Sequence, residues 1–332
     1  MKRPATIIDV ANRAGVSLGT VSNVLNGRVS VRKGTKEQVE RAIQDLGFTP
    51  SMIASGMRKQ RSNVIGLCVP FTNFQNFSLL ADAVERIAAA EGFELMQVYS
   101  RQDHEVELQR IERLLAFRVG GVMLIPSLKP EKSLDRLIRS NTPTVILNRP
   151  IDDDRFDQVM TDHRDAVRQV VTRLIERGHK RIVLCSQYPT LSVTRSRVAA
   201  MKEVVKKSGA EVEAVACRTG ATQEEFAERV APYLNGRGGP VALICSNSIV
   251  TTWLLRIAKS LGLKGPADYS VVVLEDPEWG DIVTPSLSVV HQPTEQLAKA
   301  AMDTLIRRMR RLAPAPSRVL IAPEVRFRES VR

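Results

Sequence analysis

The fold at the N-terminus of this chain is decided by Thr6-Ile-Ile-Asp-Val-Ala-Asn-Arg-Ala-Gly-Val-Ser-Leu-Gly-Thr-Val-Ser-Asn-Val-Leu-Asn-Gly27. The stretch predicts two short helices that are separated at Gly15, because apolar residues recur on one face on either side of that glycine. Ser17 is a suitable N-cap for the second helix. Leu18, Gly19, Ser22 and Asn23 point outward from it. This layout is that of a helix-turn-helix motif, whose second helix enters a DNA major groove.

Positive charge is concentrated at the same end of the chain. The 332 residues carry a net charge of +12. Residues 1–61 contain eleven Lys/Arg and four Asp/Glu, so more than half of the excess lies in less than a fifth of the chain. A basic segment attracts phosphate groups, although a run of charges is more often a solvated surface. Here the charges coincide with the helix-turn-helix motif, which favours DNA as the partner.

Two further segments follow the motif before the main body of the chain. A third helix is predicted to end at Gly47, with Val39, Ala42 and Leu46 on its apolar face. Its beginning is left open, because Thr35 and Gln38 form a capping-box pair while Gly34 is a poor helix former. Residues 49–62 form a weak helix or linker that offers a second contact with DNA.

From residue 64 onward, short apolar runs alternate with amphipathic helices. The runs that predict strands are 64–69, 92–98, 121–125, 144–147, 181–185, 241–245 and 270–274. The predicted helices are 79–91, 105–117, 133–139, 165–177, 194–208, 224–234 and 250–261. This alternation predicts parallel sheets with helices on both faces, arranged in two similar lobes. A ligand is expected in a cleft at the carboxyl ends of the strands.

Several classes of protein are disfavoured by the composition. The sequence is 43% hydrophobic and contains no apolar run long enough to cross a membrane, and no signal peptide is expected at its start. The four widely spaced cysteines predict buried, reduced thiols in a cytoplasmic protein: Cys68, Cys185, Cys217 and Cys245. No phosphate-binding loop, GxSxG or HExxH motif is present, and the four histidines are isolated. We therefore expect no enzyme, no metal and no cofactor.

Motifs in the head and the body are similar to one known family. The head motifs are Asp9-Val-Ala, Ala14-Gly-Val-Ser and Thr20-Val-Ser followed by Leu25-Asn-Gly, and the body motifs lie at 65–70, 119–124, 177–182 and 285–293. In this order they resemble the LacI/GalR family of bacterial transcription regulators, over essentially the whole chain. The resemblance implies an all-α helix-turn-helix head and a hinge helix. These are joined to an α/β periplasmic-binding-protein-like body of two doubly wound parallel-sheet lobes.

The resemblance also implies the domain boundaries and the partners. A DNA-binding domain is expected at 1–49, a hinge helix at 50–62 and an effector-binding and dimerisation domain at 63–332. The N-lobe would comprise about 63–161 and 292–319, and the C-lobe about 162–291 and 320–332. The expected partners are a second copy of the chain, double-stranded operator DNA with a pseudo-palindromic sequence, and a small effector.

Family positions also imply which residues contact DNA. Bases would be contacted by Leu18, Gly19 and Asn23, and phosphates by Thr6, Ser17, Thr20, Ser22 and Asn26. Asn23 suits either an adenine edge or a phosphate; the family often has Arg there, which leaves the operator sequence open. In the hinge, Ala54 and Arg58 would also contact DNA, with Met57 at the position of a minor-groove wedge. Lys59 and Arg61 would add phosphate contacts.

For the effector, the family implies contacts that follow strands or begin helices. They fall at Phe71, Asn73, Phe74, Asn148, Arg149, Asp162, Arg197, Asn247, Glu275, Asp276 and Gln292. His163, next to Asp162, is a further candidate for the cleft lining. Phe71 or Phe74 would stack on a sugar face, with core packing as the alternative.

Departures from the family pattern bear on the charge of the effector. Asn148, Ser248 and Glu275 stand where the family has Asp, and Ala221 replaces an aromatic residue. Fewer acidic groups near the two cleft arginines favour a sugar phosphate or a sugar acid over a neutral sugar. The alternative is that these arginines only bridge the lobes through Asp162 or Glu275.

The expected function is that of an effector-controlled repressor of carbohydrate or central carbon metabolism genes. Two other functions are considered as alternatives. A solute-binding protein without a regulatory role shares the two-lobed body, but it has a signal peptide and no DNA-binding head. A nonspecific DNA-binding protein has no need of a cleft, and it would lose its hold on DNA at high salt.

Overall fold

The computed structural model describes residues 3, 5–25, 31–48, 62–71, 75–209, 212–218, 222–234, 241–313 and 315–332. The chain divides into two compact units, the head (Met1–Asn63) and the body (Val64–Arg332). Predicted residues that fall outside the described ranges are Asn26, Ala54, Met57, Arg58, Lys59, Arg61, Asn73, Phe74 and Ala221.

The head contains α1 (Ile7–Ala14), α2 (Leu18–Leu25) and α3 (Lys33–Leu46). Helix α1 begins at a capping box, in which the Thr6 side chain accepts from the Asp9 N–H and the Asp9 side chain accepts from the Thr6 N–H. It ends at Gly15, whose φ of 63° is left-handed and therefore favours glycine. The core of the head joins Val10, Val21 and Val39, one from each helix, as the apolar periodicity predicts.

Helix α3 begins earlier than the predicted capping box. Its N-cap is Arg32, which makes no side-chain capping bond, and the helix runs through Gly34. Thr35 and Gln38 therefore lie inside the helix. Glycine costs about 1 kcal/mol in a helix relative to alanine. The burial of Val39 on the head core offsets this cost.

The body alternates strands and helices along the chain. In order, its elements are β1 (Val64–Val69), α4 (Gln75–Ala90), β2 (Glu94–Tyr99), α5 (His104–Ala116), β3 (Gly121–Leu124), α6 (Glu131–Ser140), β4 (Thr144–Leu147), β5 (Asp157–Thr161), α7 (His163–Glu176), β6 (Arg181–Ser186), α8 (Ser192–Ser208), β7 (Glu213–Arg218), α9 (Gln223–Leu234), β8 (Val241–Cys245), α10 (Ser248–Ser260), β9 (Tyr269–Val273), β10 (Ser288–His291), α11 (Thr294–Met309), β11 (Arg318–Ile321) and β12 (Glu324–Arg326).

These strands form two six-stranded sheets, each of which defines one lobe. The N-lobe sheet has the order β11-β5-β4-β3-β1-β2, and the C-lobe sheet has the order β12-β10-β9-β8-β6-β7. All neighbours are parallel except β10 and β12. Within the described residues, the chain passes between the sheets after β5, between β10 and α11, and between β11 and β12. The doubly wound two-lobed architecture predicted from the sequence is confirmed.

Each sheet is covered by helices on both faces, so its central strands are buried throughout. Two glycines allow this close packing in the N-lobe. A Cβ atom on Gly66 of β1 would lie 2.7 Å from Leu114 Cδ1, and one on Gly121 of β3 would lie 2.8 Å from Leu305 Cδ1. The absence of a side chain at these positions lets α5 and α11 lie directly against the sheet.

The four cysteines are free and buried. Three of them stand in register on neighbouring strands, because Cys185 of β6 pairs with Cys217 of β7 on one side and with Cys245 of β8 on the other. Among the described helices, none combines the length and the apolar character needed to cross a membrane.

Candidate functional site

The residues of α2 that were predicted to point outward lie at or near the surface of the head. Val21 is completely buried, whereas Leu18 is 43% exposed and Gly19 is also exposed. Ser22 and Asn23 are half-buried on the same helix. The helix therefore offers a short stretch with small or apolar side chains, a shape that suits entry into a major groove.

Three predicted phosphate contacts are occupied in helix capping. The Ser17 Oγ accepts a 3.1 Å hydrogen bond from the Thr20 N–H and lies 2.9 Å from the Thr20 hydroxyl. The Thr6 hydroxyl donates to Asp9 Oδ2 at 2.7 Å. Hydrogen bonds from Thr6, together with the charge of Arg3, lower the pKa of Asp9. Capping leaves these hydroxyls fixed in position at the N-termini of α1 and α2, where backbone N–H groups also suit phosphate.

In the body, a cavity opens between the two lobes at the carboxyl ends of the strands. It is lined by Phe71, Asn76, Phe77, Asn148, Arg149, His163, Ser186, Tyr188, Leu191, Val193, Thr194, Arg197, Ser246, Asn247, Glu275 and Gln292. We call this cavity the cleft. Seven of the eleven predicted effector contacts are among these residues.

Two predicted contacts do not line the cleft. Asp162 is the N-cap of α7, and its Oδ1 accepts a 3.0 Å hydrogen bond from the Asp165 N–H. Asp276 Oδ2 lies 3.0 Å from His291 Nδ1 and accepts from Arg326 at 3.2 Å. Both carboxylates are therefore held by neighbours outside the cleft lining.

Two buried guanidinium groups dominate the charge of the cleft. Arg149 Nη1 donates to Gln102 Oε1 and to the Pro126 carbonyl, both at 2.7 Å. Arg197 Nη2 lies 3.3 Å from His163 Nδ1. Their exposed fractions are 8% and 9%. Burial lowers the pKa of each to about 10, so both remain charged at neutral pH.

Neither guanidinium forms an ion pair in the described part of the chain. No carboxylate oxygen of the described residues, including those of Asp162 and Glu275, comes within 4.0 Å of Arg149 or Arg197. The alternative of a simple bridge between lobes through an ion pair is thus not supported. Glu107 acts electrostatically on Arg149, and Glu275 acts on Arg197, in both cases without direct contact. An anion in direct contact with these buried guanidinium groups would stabilise them further.

His163 connects the two lobes through a polar chain. Its Nε2 lies 3.2 Å from Asn148 Oδ1, and its Nδ1 faces Arg197. Because a guanidinium can only donate, Nδ1 is the acceptor and Nε2 carries the proton. Burial first, and then the charge of Arg197, hold the pKa of His163 well below its usual range. The imidazole is therefore neutral.

The C-lobe side of the cleft supplies uncharged hydrogen-bonding groups. Asn247 caps α10 through Val250 N–H at 2.9 Å and donates to Gln187 Oε1 at 3.2 Å. Gln292 Nε2 donates to a backbone carbonyl, while its Oε1 has no partner among the described residues. The Ser246 hydroxyl is likewise without a partner there. Both atoms belong to residues that line the cleft, and their hydrogen-bonding capacity is unused among the described residues.

Glu275 is the carboxyl group of the C-lobe side. Its Oε2 accepts a 2.9 Å hydrogen bond from the Ser248 N–H at the start of α10. Burial raises the pKa of Glu275, while the bonds from Ser248 and the charge of Arg197 lower it.

Aromatic rings close one side of the cleft. The rings of Phe71, which follows β1, and Tyr188, which follows β6, lie 6.4 Å apart at an angle of 26°. Phe77 lies below the guanidinium of Arg149, at 5.8 Å from the ring centre. Sequence reasoning missed Tyr188 and Phe77. Tyr188 could have been predicted, because it lies just beyond a strand, as the other cleft residues do. The sequence of α4 does not indicate that Phe77 faces the cleft.

The head and the body together define a class of protein: one that contacts DNA through a helix-turn-helix and binds a small polar ligand in a two-lobed body. Comparisons with known proteins support this class. Residues 6–51 match the model of bacterial regulatory proteins of the lacI family, and residues 171–331 match the periplasmic binding protein-like domain.

Relatives and solved structures match this chain over nearly its whole length. Catabolite control protein A of Priestia megaterium is 26% identical over 329 residues, covering 98% of this chain and 99% of the relative. The HTH-type transcriptional repressor PurR of Vibrio parahaemolyticus is 26% identical over 330 residues, covering 99% of each chain. The lac repressor dimer bound to operator and the anti-inducer ONPF has a TM-score of 0.87, with 24% identity and 99% coverage of each chain.

The chain joins a LacI-family helix-turn-helix domain to a periplasmic-binding-protein-like domain. It is a DNA-binding transcription regulator with an effector-binding body. The two relatives named above are regulators of gene expression and not enzymes.

Proposed function

We propose that this regulator is a cytoplasmic, homodimeric repressor of carbohydrate or central carbon metabolism genes, and that an anionic effector bound in the cleft controls its affinity for operator DNA. The effector is a phosphorylated sugar or a sugar acid. The observation that carries this proposal is the pair of buried guanidinium groups, Arg149 and Arg197, with no ion pair in the described part of the chain.

The argument for an anion rests on the cost of burying charge. Two cations that are withdrawn from water without a direct ion pair carry a desolvation cost. A phosphate or carboxylate supplies a negative charge in direct contact, and a guanidinium binds either group through two parallel hydrogen bonds. Glu275 is held by the backbone of α10 and does not reach Arg197 as an ion pair.

The argument for a hydroxylated ligand rests on the C-lobe side of the cleft. Ser246 Oγ and Gln292 Oε1 are buried and without partners among the described residues. A ligand with hydroxyl groups satisfies both atoms, since a hydroxyl donates one hydrogen bond and accepts two. Phe71 and Tyr188 supply flat apolar surfaces for the carbon skeleton.

On the DNA side, the proposal assigns base contacts to Leu18, Gly19 and Asn23. Since Gly19 has no side chain, shape readout of the operator would supplement these contacts. Phosphate contacts come from Thr6, Ser17, Thr20, Ser22 and Asn26, and the hinge contributes Ala54, Met57 and Arg58. The proposed units are a DNA-binding domain at 1–49, a hinge at 50–62 and a body at 63–332. A twofold dimer would bind a pseudo-palindrome.

The mechanism is a shift between two populations. A ligand that binds one arrangement of the lobes more tightly than the other favours that arrangement. If the hinge segments are ordered in only one arrangement, ligand and operator affect each other's affinity by the same factor. The proposal includes no catalytic step.

Selection of genomic fragments by the ligand-free protein at physiological salt, followed by sequencing, tests the regulatory half of the proposal. We expect enrichment of one pseudo-palindrome near carbohydrate genes. The selection is then repeated with pooled sugar phosphates and sugar acids, and separately with neutral sugars. A change of enrichment with the anionic pool alone supports the effector class. No enrichment under any of these conditions would contradict sequence-specific regulation and favour a body that only senses a solute.

A further inference from the structure

One buried carboxyl group of the N-lobe lies outside the cleft lining. Glu107 stands in the first turn of α5, and its side chain is completely buried. Carboxyl groups are almost never buried to this extent unless a partner compensates their charge. A buried carboxyl group is stabilised either by a group that compensates its charge or by protonation.

Glu107 is anchored by the segment that follows β3. Its Oε2 accepts a 2.6 Å hydrogen bond from the Ser127 N–H. The hydroxyl groups of Ser127 and Ser133 lie beside the carboxyl group. No well-aligned hydrogen bond reaches its Oε1 within the described residues. These contacts hold the carboxyl group in place without neutralising it.

The positive charge that acts on Glu107 is that of Arg149. Arg149 donates to the carbonyl of Pro126, and the next residue, Ser127, donates to Glu107. One dipeptide thus touches both side chains. In return, Glu107 is the main group that raises the pKa of Arg149 against the burial that lowers it. The two groups interact across Pro126-Ser127 without the direct contact of an ion pair.

We propose that Glu107 is the internal counterion of Arg149 and that it determines the charge of the ligand that the cleft accepts. This inference rests on the proposed function. Glu107 is not among the residues that line the cleft, yet its charge acts on Arg149, which is. An anionic ligand has to compete with this internal anion for the same guanidinium, whereas a neutral ligand does not.

The competition is linked to protonation of Glu107. Burial raises the pKa of this carboxyl group, while the bonds from Ser127 and Ser133 and the charge of Arg149 lower it. An anion that binds to Arg149 offsets its positive field, so the pKa of Glu107 rises and proton uptake is favoured. The thiol of Cys68 on β1 also lies in the field of Glu107 and of Arg110, and burial keeps it protonated.

A double-mutant cycle on unfolding by urea tests the pairing itself. Glu107→Gln keeps the shape and an acceptor for Ser127 N–H, and Arg149→Gln removes the cation. If the two groups are counterions, the effects of the single variants on the unfolding equilibrium constant differ from additivity by roughly tenfold or more. Additivity within about twofold overturns the pairing, because a purely anchoring Glu107 has no reason to depend on Arg149.

Calorimetric titration with three probes tests the effect on ligand charge: glucose 6-phosphate, gluconate and glucose. Glu107→Gln is expected to bind whichever anionic probe the wild-type protein binds roughly tenfold more tightly, and to leave the affinity for glucose unchanged. Glu105→Gln is the matched control, because Glu105 lies on the same helix but is half exposed and paired with Lys132. It is expected to leave both affinities unchanged.

The outcomes separate this inference from the proposed function. If glucose binds and neither anion binds either protein, the anionic effector is wrong, and the double-mutant cycle still decides the pairing. If the anions bind both proteins equally well, the proposed function stands and the role of Glu107 is overturned. If no probe binds, the cycle alone decides whether Glu107 and Arg149 are counterions.

Discussion

At the scale of single residues, the cleft keeps a histidine neutral by placing it against an arginine. His163 accepts from Arg197 and donates to Asn148, so a second proton on the ring would face a cation 3.3 Å away. The unfolded chain binds that proton readily below the ordinary histidine pKa of about 6.5. The unfolded state thus gains protons that the folded state rejects.

We therefore predict that His163 makes the protein less stable as the pH falls. Its folded pKa is depressed, so its stabilising contribution is present above pH about 6.5 and is lost below it. Between pH 7.5 and 5.5 the loss amounts to about 1 kcal/mol more in the wild-type protein than in His163→Gln. Urea unfolding at both pH values measures it. Equal losses would contradict the prediction, and His104→Gln, at a half-exposed position, is the control.

A second prediction at this scale concerns the two cleft arginines. Arg149→Gln and Arg197→Gln each remove a charge-assisted hydrogen-bond donor from the cleft, so binding of an anionic effector is expected to weaken at least tenfold. Fluorescence titration of the ligand-free protein measures this. Operator affinity without effector serves as the control, since neither residue belongs to the head. Unchanged effector binding in both variants would count against an anionic ligand.

Only part of the site was predictable from the sequence at this scale. Arg197, Asn247 and Gln292 line the cleft as expected, because residues just beyond buried strands or in the following helices face the carboxyl edge of a sheet. Asp162 and Asp276 occupy equivalent sequence positions but turn to a helix cap and to Arg326. Which way a side chain turns depends on partners that are distant in sequence, and periodicity does not report them.

At the scale of elements, close approach of helix and sheet depends on two glycines. Gly66→Ala is predicted to destabilise the body by about 1–3 kcal/mol, because the new methyl group would lie 2.7 Å from Leu114 Cδ1. Chemical unfolding measures the change. The same substitution in a Leu114→Ala background is the control, because the smaller side chain leaves room for the methyl group. An equal cost in both backgrounds would show that steric overlap is not the cause.

The elements themselves were predicted unevenly. All seven predicted strands and seven predicted helices of the body are present, with ends that differ by a few residues. Helix α11 was missed, although Leu297, Ala301 and Leu305 recur at helical spacing and are buried. The alanines and the terminal arginines of α11 make the difference in hydrophobicity between its two faces small. Five of the described strands lie outside the seven predicted runs: β5, β7, β10, β11 and β12. In the edge strands β7 and β11, exposed polar residues interrupt the apolar run, whereas β5, β10 and β12 are only three to five residues long.

At the scale of the whole molecule, the uneven charge of the chain predicts a steep dependence of DNA binding on salt. A dimer that carries an excess of seven positive charges in each copy of residues 1–61 is expected to make several phosphate contacts. Operator affinity is predicted to fall roughly a thousandfold between 50 and 200 mM salt. Fluorescence anisotropy over a salt series measures the slope.

Two variants divide this dependence into its parts. Arg58→Gln is predicted to make the salt dependence of operator affinity less steep. With one phosphate contact fewer, binding releases fewer counterions from the DNA. Leu18→Ala is predicted to keep the slope and to lower discrimination against altered operators, because an apolar contact with a base carries no charge. If Leu18→Ala changed the slope and Arg58→Gln changed only the discrimination between operators, the roles that we assign to α2 and to the hinge would be reversed.

The threading of the chain through both lobes has a consequence for synthesis on the ribosome. One face of the N-lobe sheet is covered partly by α4, and the cover is complete only when α11 emerges; the sheet of the C-lobe gains its last strand only with β12. The head has its own core and depends on neither event. A nascent chain released before residue 294 would therefore carry a folded head on an unfinished body. Such a fragment has the DNA-contacting helices but no complete ligand-binding body. We expect quality-control proteases to degrade it, because its apolar sheet faces are exposed.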